Sequence, residues 1–539
     1  MKYPASCFII LLVFCFALPA LATQRNVQSF GATGNGSTND AGAINNAIAA
    51  LQPGDELYFP CPSANYLVTS GLNAITVNNV TVDGQTGCSG GRVRILATGS
   101  GYPVMTIGGS IGIGGIAVSN IGSALSADTA ELGTSFQTSG SFSAGDTVEI
   151  VEGIADGSGA CDVSGCRGEA VQIANASGNT YTVTTALHWA YKVANSAHVA
   201  LISHTPTDGV NVHDLVIDGN NTNAYFGFYV RGTKNLSVSN LTVQNLGPAT
   251  NKGIFLLGAF GSTFNNIILT KTGCNDFSFA NEGSGHLTES NITISGASGS
   301  GICTNGVGDC ENGFGQKQTA DLTASNVSID KAGTVSGRPF KALGASYSTY
   351  TGLTVHNAYV TTSESEIGQR TNRITFNNCA WTNNGASSPG FINGGPKGFG
   401  LGATNIKFVN CSMTDGPNGY GYTIDNGVTD DNWEISGGTY SGFTNDTNDV
   451  MIIQGNGAYI HDATFIGPTS GTGIRVTGSN ACINNNTFNS GLGGAISVAN
   501  NTDIGSGNIL NGLSGNLASG ICGTAGGVNP PTNLTATAN

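Results

Sequence analysis

Charge is scarce in this sequence: 10% of its 539 residues are Asp, Glu, Lys or Arg, and 19 basic residues face 33 acidic ones. A net charge of −14 leaves no basic footprint of the kind that phosphate binding needs, which excludes a nucleic-acid partner. Met occurs only 4 times and Lys and Glu are sparse, so there is little from which to build helices. Past the first two dozen residues no apolar run approaches the roughly 20 residues of a membrane span, so the mature chain is expected to have no membrane partner. No CxxC pair stands with His at zinc-site spacing, and no EF-hand-like run of Asp is present. The sequence therefore requires no metal or other cofactor; Ca²⁺ enters only if the chemistry is that of a lyase.

What is present begins with an export signal. Lys2 supplies the charge, Phe8 to Leu18 the apolar run, and Ala20 and Ala22 the small residues that suit cleavage before Thr23. Residues 1–22 are thus expected to be removed, leaving a secreted protein, extracellular or periplasmic. In an oxidising compartment the close spacings Cys61/Cys88, Cys161/Cys166 and Cys303/Cys310 predict disulfides, with Cys274 as the free thiol of an odd set.

Gly, at 81 residues, and abundant Asn and Thr favour strands and turns. A short unit, polar or Gly followed by aliphatic-any-aliphatic, recurs at Asp214, Asn240, Asn266, Asn291, Asn326 and Gly352, with looser copies at Asn378, Asn410, Asp462 and Asn485. The first six start at intervals of 26, 26, 25, 35 and 26 residues. A unit of that size cannot bury its own apolar face and must stack on its neighbours. Alternation puts Leu241 and Val243 on one face of a strand, while the leading Asn, which tolerates left-handed backbone, stacks at a bend. The fold class is all-β: a right-handed parallel β-helix. Its open end needs a cap, and Thr38 or Asn39 is expected to N-cap a helix whose Ile44, Ala47, Ile48 and Leu51 share one face, ended by Pro53-Gly54.

The opening segment supports this. Val27-Gln-Ser-Phe30-Gly31-Ala32-Thr-Gly34-Asn-Gly36-Ser-Thr38-Asn-Asp40, then Ala43-Ile44, Ala47-Ile48, Leu57-Tyr-Phe59-Pro60 and Tyr66-Leu-Val68, resembles the start of rhamnogalacturonase/epimerase-type proteins of the pectate lyase superfamily. The resemblance covers roughly residues 26–85 and implies the right-handed β-helix; hydrolases, lyases, epimerases and tail-spikes share it. The expected organisation is a cap and first coils over 23–120, a small inserted β-subdomain over 121–205 packed laterally on the solenoid, the main β-helix over 206–525, and a disordered tail over 526–539.

Charges concentrate in one register. Aligning the strand before each unit puts Arg231, Glu282 and Lys317 in one column and Lys252, Arg338 and Glu364 in another, with Lys341 and Arg370 in the same rows. Successive coils lie about 4.8 Å apart, so a sugar meets several such groups together. The structural alternative is that opposite charges pair as surface ladders. The long coil around Cys303–Cys310, with Asp309 and Glu311, and the excursion from Gly385 to Gly400 would wall a cleft.

Hydrolysis needs two carboxylates, drawn from Asp276, Glu282, Asp309, Glu311 and Glu364. Asp276 after Cys274-Asn275 and His286 in Gly283-Ser-Gly-His faintly resemble polygalacturonase motifs, without their Asp-Asp pair or Arg-Ile-Lys. Elimination needs a base and cations at the developing enolate; Lys317, Arg338 and Lys341 are of that type, and Arg338-Pro339 weakly resembles pectate-lyase segments. Expected catalytic residues are Asp276, Glu282, Lys317 and Arg338, with Arg231, Lys252, His286, Glu311, Lys341, Glu364 and Arg370 binding a polysaccharide. The supply of carboxylates favours hydrolysis. The rival reading is a non-catalytic glycan-binding or surface-structural β-helix, and monomer and homotrimer both remain open.

Overall fold

The computed structural model describes residues 22–109, 122–152, 167–222, 225–247, 252–272, 278–295, 314–317, 319–330, 339–357, 365–368, 370–384, 390–394, 402–415, 422–427, 430–442, 448–520 and 522. The expected signal and tail, the Cys161/Cys166 and Cys303/Cys310 pairs, Cys274, Asp276, Asp309, Glu311, Arg338 and Glu364 lie outside them.

Three parallel sheets wind about one axis, as the repeat requires. The first sheet stacks Phe226–Lys234, Lys252–Phe260, Phe279–Glu282, Phe314–Lys317, Phe340–Leu343, Ser365–Gly368 and Gly390–Gly394. The second takes the leading halves of Ser237–Leu246, Thr263–Thr270, Gly285–Ser295 and Ala320–Asp330, then Thr349–Thr351 and Thr375–Asn377. The trailing halves and Thr354–His356 build the third. Leu241, Ile267, Ile292 and Val327 lie in register and are buried in the continuous core.

The recurring Asn explains the corner between the second and third sheets. Asn240, Asn266, Asn291, Asn326, Asn378 and Asn410 all have φ between 51° and 54°, where most side chains strain the backbone. Their amides also bond along the axis: Asn240 Nδ2 donates to Asp214 Oδ1 at 3.0 Å, and Asn326 Nδ2 to Asn291 Oδ1 at 3.1 Å.

The capping helix spans Ala41–Ala49 and buries Ile44, Ala47 and Ile48. Its cap differs from expectation. Asp40 occupies the N-cap position, and Asn39 Oδ1 accepts from Ala41 N at 3.2 Å. The Asp40 carboxylate turns back to accept from the amides of Thr33 and Gly34, fastening the glycine-rich opening segment. The helix also stops at Ala49, short of Pro53.

Cys61 and Cys88 are bonded as expected. Cys379–Cys411 and Cys482–Cys522 are further disulfides. The first follows from stacking: each Cys succeeds the corner Asn of its coil, so consecutive coils bring their Cα atoms to 4.5 Å.

The core also holds a buried acid. Glu289 points inward in the column of Phe264, Ala324 and Tyr350 and accepts from Asn281 Nδ2 at 2.9 Å. Burial pushes its pKa up to about 8. Glu289 Oε2 and Asn281 Oδ1 are both buried without a partner. A proton on Oε2 lets the acid donate to that amide oxygen and close the acid–amide pair, which removes both deficits.

A separate six-stranded antiparallel sheet, from Ser123–Ala124 to His198–Ser203, forms the insert, with its own core around Val148, Ile150, Tyr181 and Tyr191. Val151, Ala170, Ala200 and Ile202 on its other face pack against Phe226, Phe255, Leu257 and Ala280 of the first sheet. The insert therefore covers part of the face that carries the charged columns. Among the described residues no helix is long and apolar enough to cross a membrane.

Candidate functional site

The aligned strands confirm the first charged column: Arg231 pairs with Leu257, Leu257 with Glu282, and Glu282 with Lys317. Lys252 pairs with Phe226 in the neighbouring column. The final row is shifted by one residue, because Lys341 pairs with Glu366 and Leu343 with Gly368, an offset of 25 rather than 26. Glu366 therefore takes the place beside Lys341, and Arg370 lies past the end of its strand.

Under the insert these charges pair. Lys252 Nζ lies 3.5 Å from Glu282 and 4.2 Å from the centre of the Phe255 ring. Lys341 lies 3.7 Å from Glu366, and Arg370 bonds at 3.3 Å to Glu152, a fully buried carboxylate from the insert. Arg231 contacts Gly108 O at 3.5 Å and leans over Tyr229. The insert adds Glu149, whose pKa rises to about 8 through burial and the adjacent charge of Glu282. A Cβ at residue 283 would come within 3.0 Å of the Glu149 carboxylate, so Gly283 is what admits it.

A second cluster occupies the corner between the first and second sheets. The column runs Asn79, Gly209, Asn235, Gly261, His286, Asp321, Tyr347, Arg373, Asn405, Asn432, Gly457 and Asn480, each left-handed with φ between 50° and 71°. Successive members are joined by the backbone bonds of this bend, such as Tyr347 N to Asn372 O and Arg373 N to Thr404 O. Asn and Gly fill eight of the twelve positions. The exceptions are four consecutive coils; the insert packs on coils of this group and also on those of Asn235 and Gly261, where the rule holds. Tyr and Arg in this conformation cost about 1 kcal/mol each, and such strain concentrates at functional sites.

The four side chains meet one another and the insert. His286 Nδ1 bonds to Asp321 at 2.5 Å, its Nε2 faces the Thr185 hydroxyl at 3.0 Å, and its ring meets Phe260 edge-on. With Asp321 accepting from Nδ1–H, the neutral imidazole presents its lone pair at Nε2. Although burial opposes it, the hydrogen bond from His286 holds the Asp321 carboxyl below its ordinary pKa. Arg373 donates to the Tyr347 hydroxyl at 2.7 Å and to Glu131 at 2.9 Å, and Tyr347 donates to the same Glu131 carboxylate. Burial, followed by Glu131, raises the Tyr347 phenol well above 10, so it keeps its proton. His188 lies 4.7 Å from the Tyr347 ring, ring centre to ring centre, and 2.7 Å from Glu169. Burial works against charging His188, but the Glu169 bond wins and raises its pKa. Asp321, Arg373 and Glu131 are each more than a third exposed, so the cluster opens to solvent.

Beside this corner the second sheet offers two outward polar columns. Thr263, Thr288, Thr323, Thr349 and Thr375 form one; Ser239, Asn265, Ser290, Ser325, Thr351 and Asn377 form the other. Of the expected site residues that are described, only His286 belongs to this cluster. Asp321, Tyr347 and Arg373 were missed, yet each stands five residues before the start of a repeat unit, at Asn326, Gly352 and Asn378.

These features define a right-handed parallel β-helix with a lateral insert. Residues 24–90 match the family described as rhamnogalacturonase A/epimerase, pectate lyase-like. The tailspike protein gp49 from Pseudomonas phage LKA1 is similar in structure, with a TM-score of 0.58 and 15% identity over 88% of this chain and 82% of that one. The mannuronan C-5 epimerase AlgE6 A-module of Azotobacter vinelandii aligns with a TM-score of 0.43 and 12% identity over 90% and 98%. The gp54 tailspike of Acinetobacter baumannii bacteriophage AP22, solved with a capsular saccharide, gives 0.46 and 12% over 89% and 77%. No curated protein matches the chain in sequence.

Proposed function

We propose that this chain is a secreted polysaccharide-active enzyme that works at the corner cluster and breaks acidic glycans by β-elimination. The observation that carries this reading is the replacement of Asn and Gly by His286, Asp321, Tyr347 and Arg373 on four consecutive coils. Each group has a role in elimination. Arg373 neutralises the substrate carboxylate as charge develops on it. His286 Nε2, with its imidazole held by Asp321, takes the proton next to that carboxylate. The Tyr347 phenol donates its proton to the departing glycosidic oxygen, the carbon–oxygen bond breaks, and the electron pair left by the proton becomes a carbon–carbon double bond. The Thr and Ser columns alongside offer hydroxyls to the rest of the glycan. Disulfides suit an oxidising, extracellular setting.

Hydrolysis is the second reading, and one observation favours it: Glu149 is held protonated while Glu282 is paired with Lys252, an acid next to a base. The two readings separate in one assay. Purified protein is offered acidic and neutral polysaccharides while reducing ends and the ultraviolet absorbance of unsaturated uronates are followed together. Elimination raises both signals; reducing ends without absorbance would replace elimination by hydrolysis, and neither signal would leave a glycan-binding protein.

A further inference from the structure

The Tyr347–Arg373 pair already holds a carboxylate, and it comes from the protein itself. Glu131 receives both donors, Arg373 at 2.9 Å and the Tyr347 hydroxyl, while Arg373 also lies 5.0 Å from the centre of the Tyr347 ring. We propose that Glu131 is an internal plug: its carboxylate occupies the place of the substrate's anionic group, and an acidic saccharide must displace it to bind. The inference rests on the assignment of Arg373 to that anionic group, with the Tyr347 phenol next to it.

Three further features fit a displaceable contact. First, Glu131 sits on a surface loop of the insert and its side chain is 38% exposed, so the ion pair is screened and weak against a competing carboxylate. Next to it, Leu132 is left-handed at φ 61° and 52% exposed. A branched apolar side chain is thus held in strained backbone and out in water. The loop is otherwise tied to the insert alone, through Thr129 N to Tyr191 O and Leu132 N to Leu187 O. Finally, attachment of the insert does not depend on Glu131, because the apolar contacts around Phe255 and the Arg370–Glu152 pair already join insert and solenoid. The plug is therefore separable from folding.

The test is calorimetric binding of uronic-acid trisaccharides, the galacturonate, mannuronate and glucuronate trimers, with maltotriose as the neutral control. Wild type, Glu131→Gln and Arg373→Gln are compared, with the melting temperature of each. The expected result is that at least one acidic trimer binds Glu131→Gln three- to tenfold more tightly than wild type, that Arg373→Gln loses this binding, and that maltotriose does not distinguish the three. Equal or weaker acidic binding by a folded Glu131→Gln protein overturns the proposal, as does failure of every acidic trimer to bind. Binding is read without turnover, so a protein that binds in this pattern but cleaves nothing keeps the plug and loses only the elimination chemistry.

Discussion

Two corners of the same solenoid solve the same steric problem with different residues. Between the second and third sheets the chain turns through left-handed positions filled by Asn, Asp or Gly, as at Asp214, Asn240, Asn266, Asn326 and Gly352. Between the first and second sheets the rule holds at Asn235, Gly261, Asp321, Asn405 and Asn432 and breaks at His286, Tyr347 and Arg373. Both corners bear the same backbone demand, so the broken stretch is not a requirement of folding. The difference separates a corner chosen for stability from one that gives up stability in order to place an imidazole, a phenol and a guanidinium in one column.

The comparison is broken most directly by restoring the rule. His286→Asn and Arg373→Asn should each lower turnover by about 100-fold or more, the scale of a lost base or charge-stabilising group, while the melting temperature of Arg373→Asn stays level or rises as strain is relieved. A folded variant with intact turnover would return this corner to structure alone.

Protonation tests what lies beneath the insert and in the core. Glu149 and Glu289 both have folded-state values near 8, raised in each case chiefly by burial. An unfolded carboxyl titrates near 4.3, so between those values the folded chain binds more protons than the unfolded one. Stability contributed by these protons is complete below about pH 4.3 and is lost as pH rises through about 8, on the order of 5 kcal/mol for each group. Denaturant titrations from pH 5 to 8 should show the decline, and Glu289→Gln, which keeps an amide pair with Asn281, should flatten it.

On the regular corner, Asn266→Ala removes the bond to Asn240 Oδ1 and leaves Ala in left-handed backbone. The expected loss is about 2 kcal/mol, with turnover unchanged. The smallest effect should come from Asn432→Tyr, which copies the exception onto a coil outside the cluster: about 1 kcal/mol of destabilisation, read by denaturant midpoint, with no gain in binding.

Much of this architecture was legible because a coil repeats its own local chemistry. The 26-residue spacing, the inward Leu and Val and the corner Asn are periodic, and periodicity survives without knowledge of contacts. The Arg231–Glu282–Lys317 column follows from the same counting. Counting failed where a coil is one residue shorter, which hid the pairing of Lys341 with Glu366. Weight given to charge alone then favoured Glu282 and Lys252, which bond to each other, over Tyr347, which carries no charge at all. The departures from Asn and Gly, five residues ahead of each unit, were the signal available and unread.

By itself the sequence determined the winding: strands alternate, corners demand left-handed residues, and identical positions stack because each is set by its neighbours along the chain. Tertiary structure alone decided where the insert lies, which buried charges face each other and that Glu131 meets Tyr347 more than 200 residues away. Those outcomes depend on the docking of two surfaces that no local period describes, since the apolar patch around Val151 and Ile202 finds its partner only once the coils have formed.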